Sequence, residues 1–263
     1  MPDHPGRAGT VPAVPTDRTL LSAITHGDRP FHNPVDPAKL DWLLEDLGLG
    51  PSDRVLDVGC GPGELLVRLA ERAGAGGLGV DLAAPQIEEA RRRAAARAPG
   101  GELEGGARDA EELEGAEGGF ALAACLGSTH ALGGPERALG LLAGFTRPGG
   151  WVLIGEGYWR REPEAPYLAA IGATAEEFGD YAALLRSGEP HGLRAVKAAV
   201  ADEEDWDRYE WGLIANGERH LAAHPDAPEA TDLRAWVDSA RGRYLAPGGR
   251  DTLGFALVLF RRP

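Results

Sequence analysis

Three glycines directly follow a short apolar run and alternate with other residues, at Gly59, Gly61 and Gly63. The apolar, β-branched run before them, Arg54 to Val58, is typical of a buried parallel strand, and helical spacing of apolar residues begins at Glu64. Glycine permits positive φ angles and lets the backbone approach a ligand without a Cβ clash. This strand–turn–helix pattern predicts a binding site for a nucleotide-like ligand.

The spacing of the glycines bears on which ligand the turn binds. A dinucleotide-binding turn has the pattern G-x-G-x-x-G, which requires glycine at position 64, where this chain has Glu64. A carboxylate in the first turn of a helix also occupies the positive end of the helix dipole, which a phosphate would otherwise use. We therefore expect a cationic or zwitterionic ligand rather than a pyrophosphate.

Aspartates stand at or near the ends of three predicted strands, at Asp57, Asp81 and Asp109. Open α/β sheets bind ligands at the carboxyl ends of their strands, so these carboxylates are expected at one edge of the sheet. Asp81 follows the glycine turn at about the distance where nucleotide-binding folds place an acidic residue on ribose hydroxyls. Asp81 is therefore the predicted ribose ligand.

Strand and helix patterns alternate along most of the chain, which indicates an α/β fold with a mainly parallel sheet. The predicted strands are Arg54–Val58, Gly77–Asp81, Glu102–Ala107, Phe120–Leu126, Trp151–Tyr158, Leu193–Ala201 and Leu253–Phe260. The helices between and before them include Pro37–Leu47, Glu64–Arg72 and Ala84–Ala98. We expect one domain over residues 18–263, after a disordered tail at residues 1–17 that is rich in Pro, Gly and Thr.

Composition restricts the partners. The net charge is −14, and the arginines at 91–93 and 97 share a predicted helix with Glu88 and Glu89, so an ion-paired helix face is favoured over a nucleic-acid site. No run approaches the roughly 18 apolar residues of a membrane span, and no signal-peptide core is visible, which favours a cytoplasmic location. The sequence predicts neither a disulfide nor a metal site. Its two cysteines do not form a C-x-x-C pair, and His220 and His224 have no third metal ligand nearby.

Four motifs in order resemble the class I S-adenosylmethionine-dependent methyltransferases. They are Val55 to Gly63, Gly79 to Leu82, Arg108 to Ala110, and Arg147 to Trp151. The resemblance implies a Rossmann-like, seven-stranded, mostly parallel sheet with helices on both faces, whose last strand is inserted antiparallel. It also implies S-adenosyl-L-methionine as cofactor. Residues 18–36, 159–190 and 202–245 exceed a minimal version of this fold, so we expect them to form helical lids over the substrate site.

The resemblance also assigns residues to the cofactor. The glycine turn is expected to line the methionine part, Asp57 to orient the turn or the amino group, Asp81 to bind both ribose hydroxyls, and Asp109 to accept from the adenine amino group. The full predicted cofactor set is Asp57, Gly59, Cys60, Gly61, Gly63, Asp81, Leu82, Asp109, Ala110 and Leu126.

Candidate catalytic residues follow the fourth and fifth strands. His130 is the near-neutral titrating group in the loop after the fourth strand, so it is either a general base or a hydrogen-bonding group that orients the acceptor. Glu156 and Tyr158, with the neighbouring Trp159, are expected to point toward one pocket. Glu156 could hold an acceptor amine or form a salt bridge, and the aromatic rings could form a cation cage or ordinary packing.

A second set is expected to contact the methyl acceptor from the lids and the loop after the fourth strand. This substrate set is His26, His32, Ser128, Thr129, Trp159 and Trp206. For Trp206, helix packing is favoured over a lid contact, because aromatic residues at helical spacing usually face a core.

The leading hypothesis is methyl transfer to a nitrogen or oxygen of a small molecule by in-line displacement. The leaving group is neutral, so positioning and exclusion of water can supply much of the catalysis. The alternatives are an RNA or protein methyltransferase, which the acidity disfavours, and a cofactor-binding module of the same fold without transfer. We expect a monomer or homodimer without nucleic-acid or membrane partners.

Overall fold

The computed structural model describes residues 18–101, 103–107 and 118–263. The strands are β1 Arg54–Val58, β2 Gly76–Asp81, β3 Leu103–Ala107, β4 Phe120–Leu126, β5 Thr146–Trp159, β6 Arg194–Val200 and β7 Leu253–Arg261. They form one sheet in the order β3-β2-β1-β4-β5-β7-β6, and β7 runs antiparallel to both of its neighbours. The predicted fold class, including the inserted antiparallel strand, is confirmed.

Helices cover both faces of this sheet. They are α1 Arg18–His26, α2 Pro37–Leu44, α3 Glu64–Ala73, α4 Ala84–Arg97, α5 Pro135–Phe145, α6 Ala165–Ile171, α7 Tyr181–Arg186, α8 Glu203–Ala223 and α9 Ala230–Leu245. The apolar sides of α2 and α3 share one core cluster with the sheet. Those of α5 and α7 share the cluster on the opposite face. The two clusters fix the strand ends in place from both sides.

The glycines of β2 have a packing reason. A Cβ atom at Gly79 would lie 2.8 Å from the Cys60 sulfur and 3.0 Å from a methyl carbon of Leu66 on α3. A Cβ atom at Gly77 would lie 2.7 Å from another methyl carbon of Leu66. Glycine in this strand therefore lets α3 pack directly on β2, and that contact sets the depth of the turn before α3.

Several element boundaries differ from the sequence predictions. Helix α2 ends at Leu44 instead of Leu47, because the chain turns through positive φ angles of 64° at Asp46 and 67° at Gly48. Strand β5 begins at Thr146, which already pairs with Phe120 of β4, instead of at Trp151. The long helical stretch near the C-terminus is two helices. It breaks before Pro225, which disfavours helical geometry at the preceding residue.

Helices α1, α8 and α9 form a cluster of their own, which we call the helical cap. Its core contains Leu21 of α1, Ile214 and Leu221 of α8, and Leu233 and Val237 of α9. These buried side chains form a cluster separate from the two clusters of the sheet. The cap thus has its own small hydrophobic core, which holds α1 in place beside the strand ends.

Candidate active site

A cavity of about 330 Å³ lies at the carboxyl ends of β1, β2 and β4. Its walls come from the glycine turn after β1, from Asp81, and from residues 126–128 after β4. Helix α1 and residues 30–33 complete it from the N-terminal side. Six of the predicted cofactor residues line it: Asp57, Gly59, Cys60, Gly61, Asp81 and Leu126.

The glycine turn is held by its backbone. Gly59, Gly61 and Gly63 have φ angles of 67°, 50° and 75°, a region that side chains with a Cβ atom rarely adopt. The N–H groups of Gly59 and Cys60 both donate to the carbonyl oxygen of Val80, at 2.8 and 3.1 Å. The turn is therefore tied to the end of β2, and its shape needs glycine.

The outer two glycines of the turn serve different contacts. A Cβ atom at Gly59 would clash with the side chain of Ser128, whose Oγ would be 2.6 Å away. One at Gly63 would lie 2.8 Å from the Cβ atom of Ala90 on α4, and Gly63 itself does not line the cavity among the described residues. Gly59 thus sets the width of the cavity, whereas Gly63 permits the contact between the start of α3 and α4.

Asp81 accepts hydrogen bonds from two backbone N–H groups. Gly61 donates to one carboxylate oxygen at 2.9 Å and Ala83 donates to the other at 2.8 Å. Each oxygen retains a further lone pair, which is the arrangement that two ribose hydroxyls require. Leu82 follows as an apolar side chain that is 70 % exposed beside the cavity. The predicted roles of Asp81 and Leu82 stay predictions that this geometry accommodates.

Asp57 is a buried carboxylate with an unsatisfied oxygen. The residue is 3 % exposed, and its Oδ1 has no hydrogen-bond partner among the described residues. Burial, and then the negative charge of Asp81, raises the pKa of Asp57 to about 8. A cation that entered the cavity would supply the missing partner and favour the ionised carboxylate. The site therefore fits a ligand with a positive charge near the glycine turn.

Glu64 corrects one step of the sequence argument. Its carboxylate, at the start of α3, is almost fully buried and forms ion pairs with Arg68 at 2.8 Å and Arg97 at 2.7 Å. These arginines offset its charge, so Glu64 does not by itself repel an anion. The preference for a cationic ligand rests on Asp57 instead. Cys60, within the turn, is also buried, and burial raises the pKa of its thiol.

The loop after β4 is anchored to β5. The hydroxyl of Thr129 donates to Oε2 of Glu156, and the N–H of Gly157 donates to Oε1 of Glu156 at 2.8 Å. Thr129 is buried, whereas Ser128 lines the cavity. The Thr129–Glu156 pair therefore lies behind the cavity wall and fixes the position of Ser128.

The remaining candidates on β4 and β5 are separated. His130 is exposed, in a 3₁₀ turn at Thr129–Leu132, and it is not part of the described cavity wall. Tyr158 is buried in the sheet core with its ring 5.2 Å from that of Tyr181. Trp159 donates from Nε1 to the carbonyl of Ala175 at 2.8 Å. Neighbouring strand residues face opposite sides, so Tyr158 and Trp159 do not point toward one pocket, contrary to expectation. Their proposed roles stay predictions.

Two predicted substrate residues of the N-terminal segment stack on each other. The rings of His26 and His32 are 4.0 Å apart, and His32 lines the cavity. His26 Nε2 lies 2.9 Å from the hydroxyl of Tyr209 on α8, and the Tyr209 hydroxyl donates to the carbonyl of His32 at 3.1 Å. Burial lowers the pKa of His32 to about 3, so this ring is neutral at physiological pH.

Trp206 lies one helical turn before Glu210 on α8 and packs against the core cluster that contains Phe31 and Phe255. This agrees with the packing interpretation. Its Nε1 is buried without a hydrogen-bond partner in the described part of the chain. Asp109 and Ala110, predicted to bind the adenine, lie outside the described residues.

The sequence predicts that residues 18–36 cover the site but does not single out the residues of α1 that line the cavity. Arg18 and Ser22 do so, and so does Asn33 in the following segment. Arg18 has no ion-pair partner within the described ranges, whereas three arginines of α4 do. Arg92 and Arg93 pair with Glu89, and Arg97 pairs with Glu64 and Glu71. No sequence pattern indicates which side of a short helix meets a distant cavity, so the sequence contains no signal for Arg18 and Ser22.

Comparison with known proteins identifies the family. Residues 55–150 match a family described as a methyltransferase domain. The crystal structure of a SAM-dependent methyltransferase from Geobacter sulfurreducens, in complex with S-adenosyl-L-homocysteine, is 33 % identical, with a TM-score of 0.84. The similarity covers 93 % of this chain and 98 % of that one. This chain belongs to the S-adenosylmethionine-dependent methyltransferases.

Other relatives of this methyltransferase carry less information about its substrate. The uncharacterized protein YjhP of Escherichia coli K12 is 34 % identical over 253 residues, which is 92 % of this chain and 99 % of that protein. A ubiquinone biosynthesis O-methyltransferase of Bordetella avium is 33 % identical, but over 55 % of this chain and 58 % of its own length.

The cavity of the methyltransferase fits S-adenosylmethionine, its cofactor. The unsatisfied Asp57 oxygen suits the amino group of the methionine part, and Asp81 suits the ribose. Within the described ranges, no cluster of three or more His, Cys, Asp or Glu side chains could hold a metal ion. Among the helices described, none is both long and apolar enough to cross a bilayer.

Proposed function

We propose that this methyltransferase transfers a methyl group from S-adenosylmethionine to a nitrogen or oxygen of a small molecule. The observation that carries the proposal is the wall of the cavity. Helix α1 and residues 30–33 form part of the wall of the cavity at the strand ends, whose volume is about 330 Å³. A cavity walled in this way favours a compact acceptor over a folded RNA or protein surface.

The cofactor, when bound, supplies a methyl group on a positively charged sulfur, which leaves as a neutral thioether. Asp57 pairs with the amino group of the methionine part and Asp81 accepts from both ribose hydroxyls. Arg18, which lines the same cavity, pairs with the carboxylate of the methionine part. These three contacts fix the direction of the carbon–sulfur bond, and in-line displacement depends on that direction.

On the acceptor side, positioning is the main task of the protein. Ser128, His32 and Asn33 line the cavity with polar groups. The neutral ring of His32 accepts a hydrogen bond from an N–H or O–H group, and Ser128 and Asn33 both donate and accept. Glu156 holds Thr129 and thereby keeps Ser128 in place. An acceptor nitrogen or oxygen held this way presents its lone pair to the methyl group.

Charge supports a small acceptor over nucleic acid. The net charge is −14, and three arginines of α4 are used in ion pairs with Glu64, Glu71 and Glu89. Nucleic-acid binding needs basic groups that are available to phosphates. The relatives do not decide the acceptor, because the match to an O-methyltransferase covers 58 % of that protein.

Release of S-adenosylhomocysteine tests the proposal. Purified protein with S-adenosylmethionine is incubated with panels of small amines, phenols and thiols, and with total RNA and a protein extract as macromolecular arms. We expect release with members of the amine or phenol panels. Release with RNA or protein alone would contradict a small acceptor, and tight cofactor binding without release in any arm would favour a binding module.

His130→Ala separates the two roles left open for that residue. The exposed side chain is not part of the described cavity wall, so we expect the variant to retain cofactor affinity. An unchanged rate and pH profile of methyl transfer would exclude His130 as the general base. His224→Ala, which replaces another exposed histidine at the end of α8, is the matched control.

A further inference from the structure

A second cavity lies on a different side of α1 from the cofactor cavity. This outer groove has a volume of about 770 Å³, and it is lined by α1 from Ala23 onward, by the loop as far as Arg29, and by α8 from Gly212 to His224. The described linings of the two cavities share no residue. Ser22 of α1 lines the cofactor cavity, whereas the next residue lines the groove. The outer groove is therefore accessible to a ligand while the cofactor is bound.

The charge of the outer groove is positive, although the chain has a net charge of −14. Arg29 and Arg219 line the groove with a single carboxylate, that of Asp28. Neither arginine has an ion-pair partner among the described residues, whereas Arg241 of the helical cap pairs with Glu218. Guanidinium groups without a counter-charge in a concave site are suited to bind an anion.

Arg219 is held in position by a neutral group. Its Nη1 donates to Oδ1 of Asn216 at 2.8 Å, and Nδ2 of Asn216 donates to the carbonyl oxygen of Thr25 at 2.8 Å. The contact with α1 orients the amide and points its oxygen toward the arginine. An amide does not cancel the charge of a guanidinium, so Arg219 is both positioned and uncompensated.

Arg29 is anchored to the same helix by neutral groups as well. Its Nη2 donates to the carbonyl oxygen of Arg208, and its guanidinium carbon lies 5.3 Å from the centre of the Tyr209 ring. A Cβ atom at Gly212 would overlap Nη2 of Arg29, so the glycine provides the space that the guanidinium occupies. Arg29 is half-buried, and this cation also lacks a carboxylate partner within the described ranges.

The two guanidinium groups lie beside neighbouring turns of α8. Gly212, which Arg29 contacts, and Asn216, which Arg219 contacts, are four residues apart and are therefore on the same side of the helix. One helical turn separates these positions by roughly 6 Å along the axis. Hydrogen bonds from arginine to an anion are about 2.8 Å long, so the oxygens of one phosphate or carboxylate group can reach both arginines.

We propose that the outer groove binds an anionic small molecule through a phosphate or carboxylate group held by Arg29 and Arg219. The anion supplies the missing counter-charge, and the N–H groups that the two arginines do not already use donate to its oxygens. The groove is larger than the cofactor cavity, which leaves space for the rest of the molecule. Because the two cavities are separate, binding in the groove does not depend on which acceptor is methylated.

Titration with small anions tests this site. Protein saturated with S-adenosylhomocysteine is titrated with pyrophosphate, inorganic phosphate or citrate at constant ionic strength, and the arginine Nε–Hε signals are followed by NMR. Saturation keeps the anions out of the cofactor cavity, which Arg18 lines. We expect the signals of Arg29 and Arg219, assigned by their loss in Arg29→Gln and Arg219→Gln, to shift and saturate. The phosphates compared with citrate distinguish a phosphate ligand from a carboxylate ligand.

Substitutions separate this site from a general effect of charge. Arg29→Gln and Arg219→Gln should each weaken the binding of the preferred anion at least about tenfold, the size of a hydrogen bond to a charged group. Asn216→Asp should have a similar effect although it keeps both arginines, because its carboxylate pairs with Arg219. Arg241→Gln removes an ion-paired arginine and changes the net charge equally. It is the matched control and should keep the affinity within about twofold.

Three results would overturn the inference. They are the lack of a saturable shift of either arginine with all three anions, wild-type affinity in Arg219→Gln, and an equal loss of affinity in Arg241→Gln. Arg219 is exposed, so its replacement is expected to leave the fold intact. Arg219→Gln therefore decides the outcome even if Arg29→Gln lowers the stability of the protein.

Discussion

The cofactor cavity and the helical cap are stabilised in different ways. At the cavity, backbone groups hold the turn in place. Two N–H groups donate to the carbonyl oxygen of Val80, and two others donate to the carboxylate of Asp81. In the cap, α1, α8 and α9 are held by an apolar core of their own and by ion pairs at its margin. The comparison indicates that the cofactor site tolerates almost no change of backbone, whereas the cap depends on side-chain packing.

The largest effect is expected for Gly59→Ala. Gly59 and Gly48 both have a φ angle of 67°, but a Cβ atom at Gly59 meets Ser128, whereas nothing lies within 4 Å at Gly48. We expect Gly59→Ala to lower cofactor affinity more than roughly 100-fold, because strain and clash together displace the turn. Calorimetry with S-adenosylhomocysteine measures this.

Gly48→Ala is the control for backbone strain alone. It should cost about 1 kcal/mol of folding free energy and leave cofactor affinity unchanged. Equal loss of binding in both variants would show that the cavity is not more sensitive to backbone change than an ordinary turn.

The next largest effect on cofactor affinity is expected for Asp57→Asn. If Asp57 pairs with the cofactor amino group, the variant should bind roughly 10- to 100-fold more weakly, the size of a charged hydrogen bond. Wild-type affinity should rise with pH up to about 8, because binding requires the ionised carboxylate, and the variant should lack this dependence. Calorimetry in buffers of different ionisation enthalpy would detect the proton released below that pH.

The same residue should affect the stability of the unliganded protein. Its pKa is 3.8 as an isolated group and about 8 in the fold, so between these values the folded protein holds a proton that the unfolded chain has released. The stability that this group contributes is present below pH 3.8 and is lost as pH rises through about 8. Asp57→Asn should therefore gain stability relative to wild type over that range in urea unfolding. A constant difference would contradict the raised pKa.

Asp81→Ala should weaken cofactor binding at least roughly tenfold, because ribose hydroxyls and two backbone N–H groups lose their acceptor. Asp81→Asn retains an oxygen for one of these N–H groups and should lose less. Unchanged affinity of Asp81→Ala in calorimetry would remove the ribose assignment.

The smallest effects are expected in the cap. A Cβ atom at Gly217 of α8 would lie 2.5 Å from a methyl carbon of Val237 of α9, whereas at Gly242 of α9 nothing lies within 4 Å. Gly217→Ala should destabilise the protein by about 1–3 kcal/mol through overpacking. Gly242→Ala should stabilise it by about 0.5–1 kcal/mol through helix propensity.

Both cap variants should bind S-adenosylhomocysteine with nearly wild-type affinity once folded. Urea unfolding measures the stability, and calorimetry measures the affinity. A large loss of cofactor affinity in Gly217→Ala would show that the cap and the cofactor cavity are not stabilised independently.

Local sequence patterns predicted the cofactor-binding part of the site well. The strand before Gly59, the positive φ angles of the turn and the start of α3 at Glu64 all follow from the properties of a few neighbouring residues. The same reasoning failed for the effect of Glu64, because the arginines that offset its charge come from the next turn of α3 and from α4. The sequence shows that a carboxylate stands at the start of α3, but it does not show which arginines from other parts of the chain pair with it.

By itself, the sequence determined the order of the strands along the chain, the glycine turn, and the acidic residues beside it. These features depend on backbone conformation and on alternation over a few residues, which local chemistry fixes. Only the tertiary structure decided that Arg18 reaches the cavity and that His130 does not line the part of it described. Such outcomes depend on how helices distant in sequence pack together, and no local pattern encodes the charge or the space that each side chain meets there.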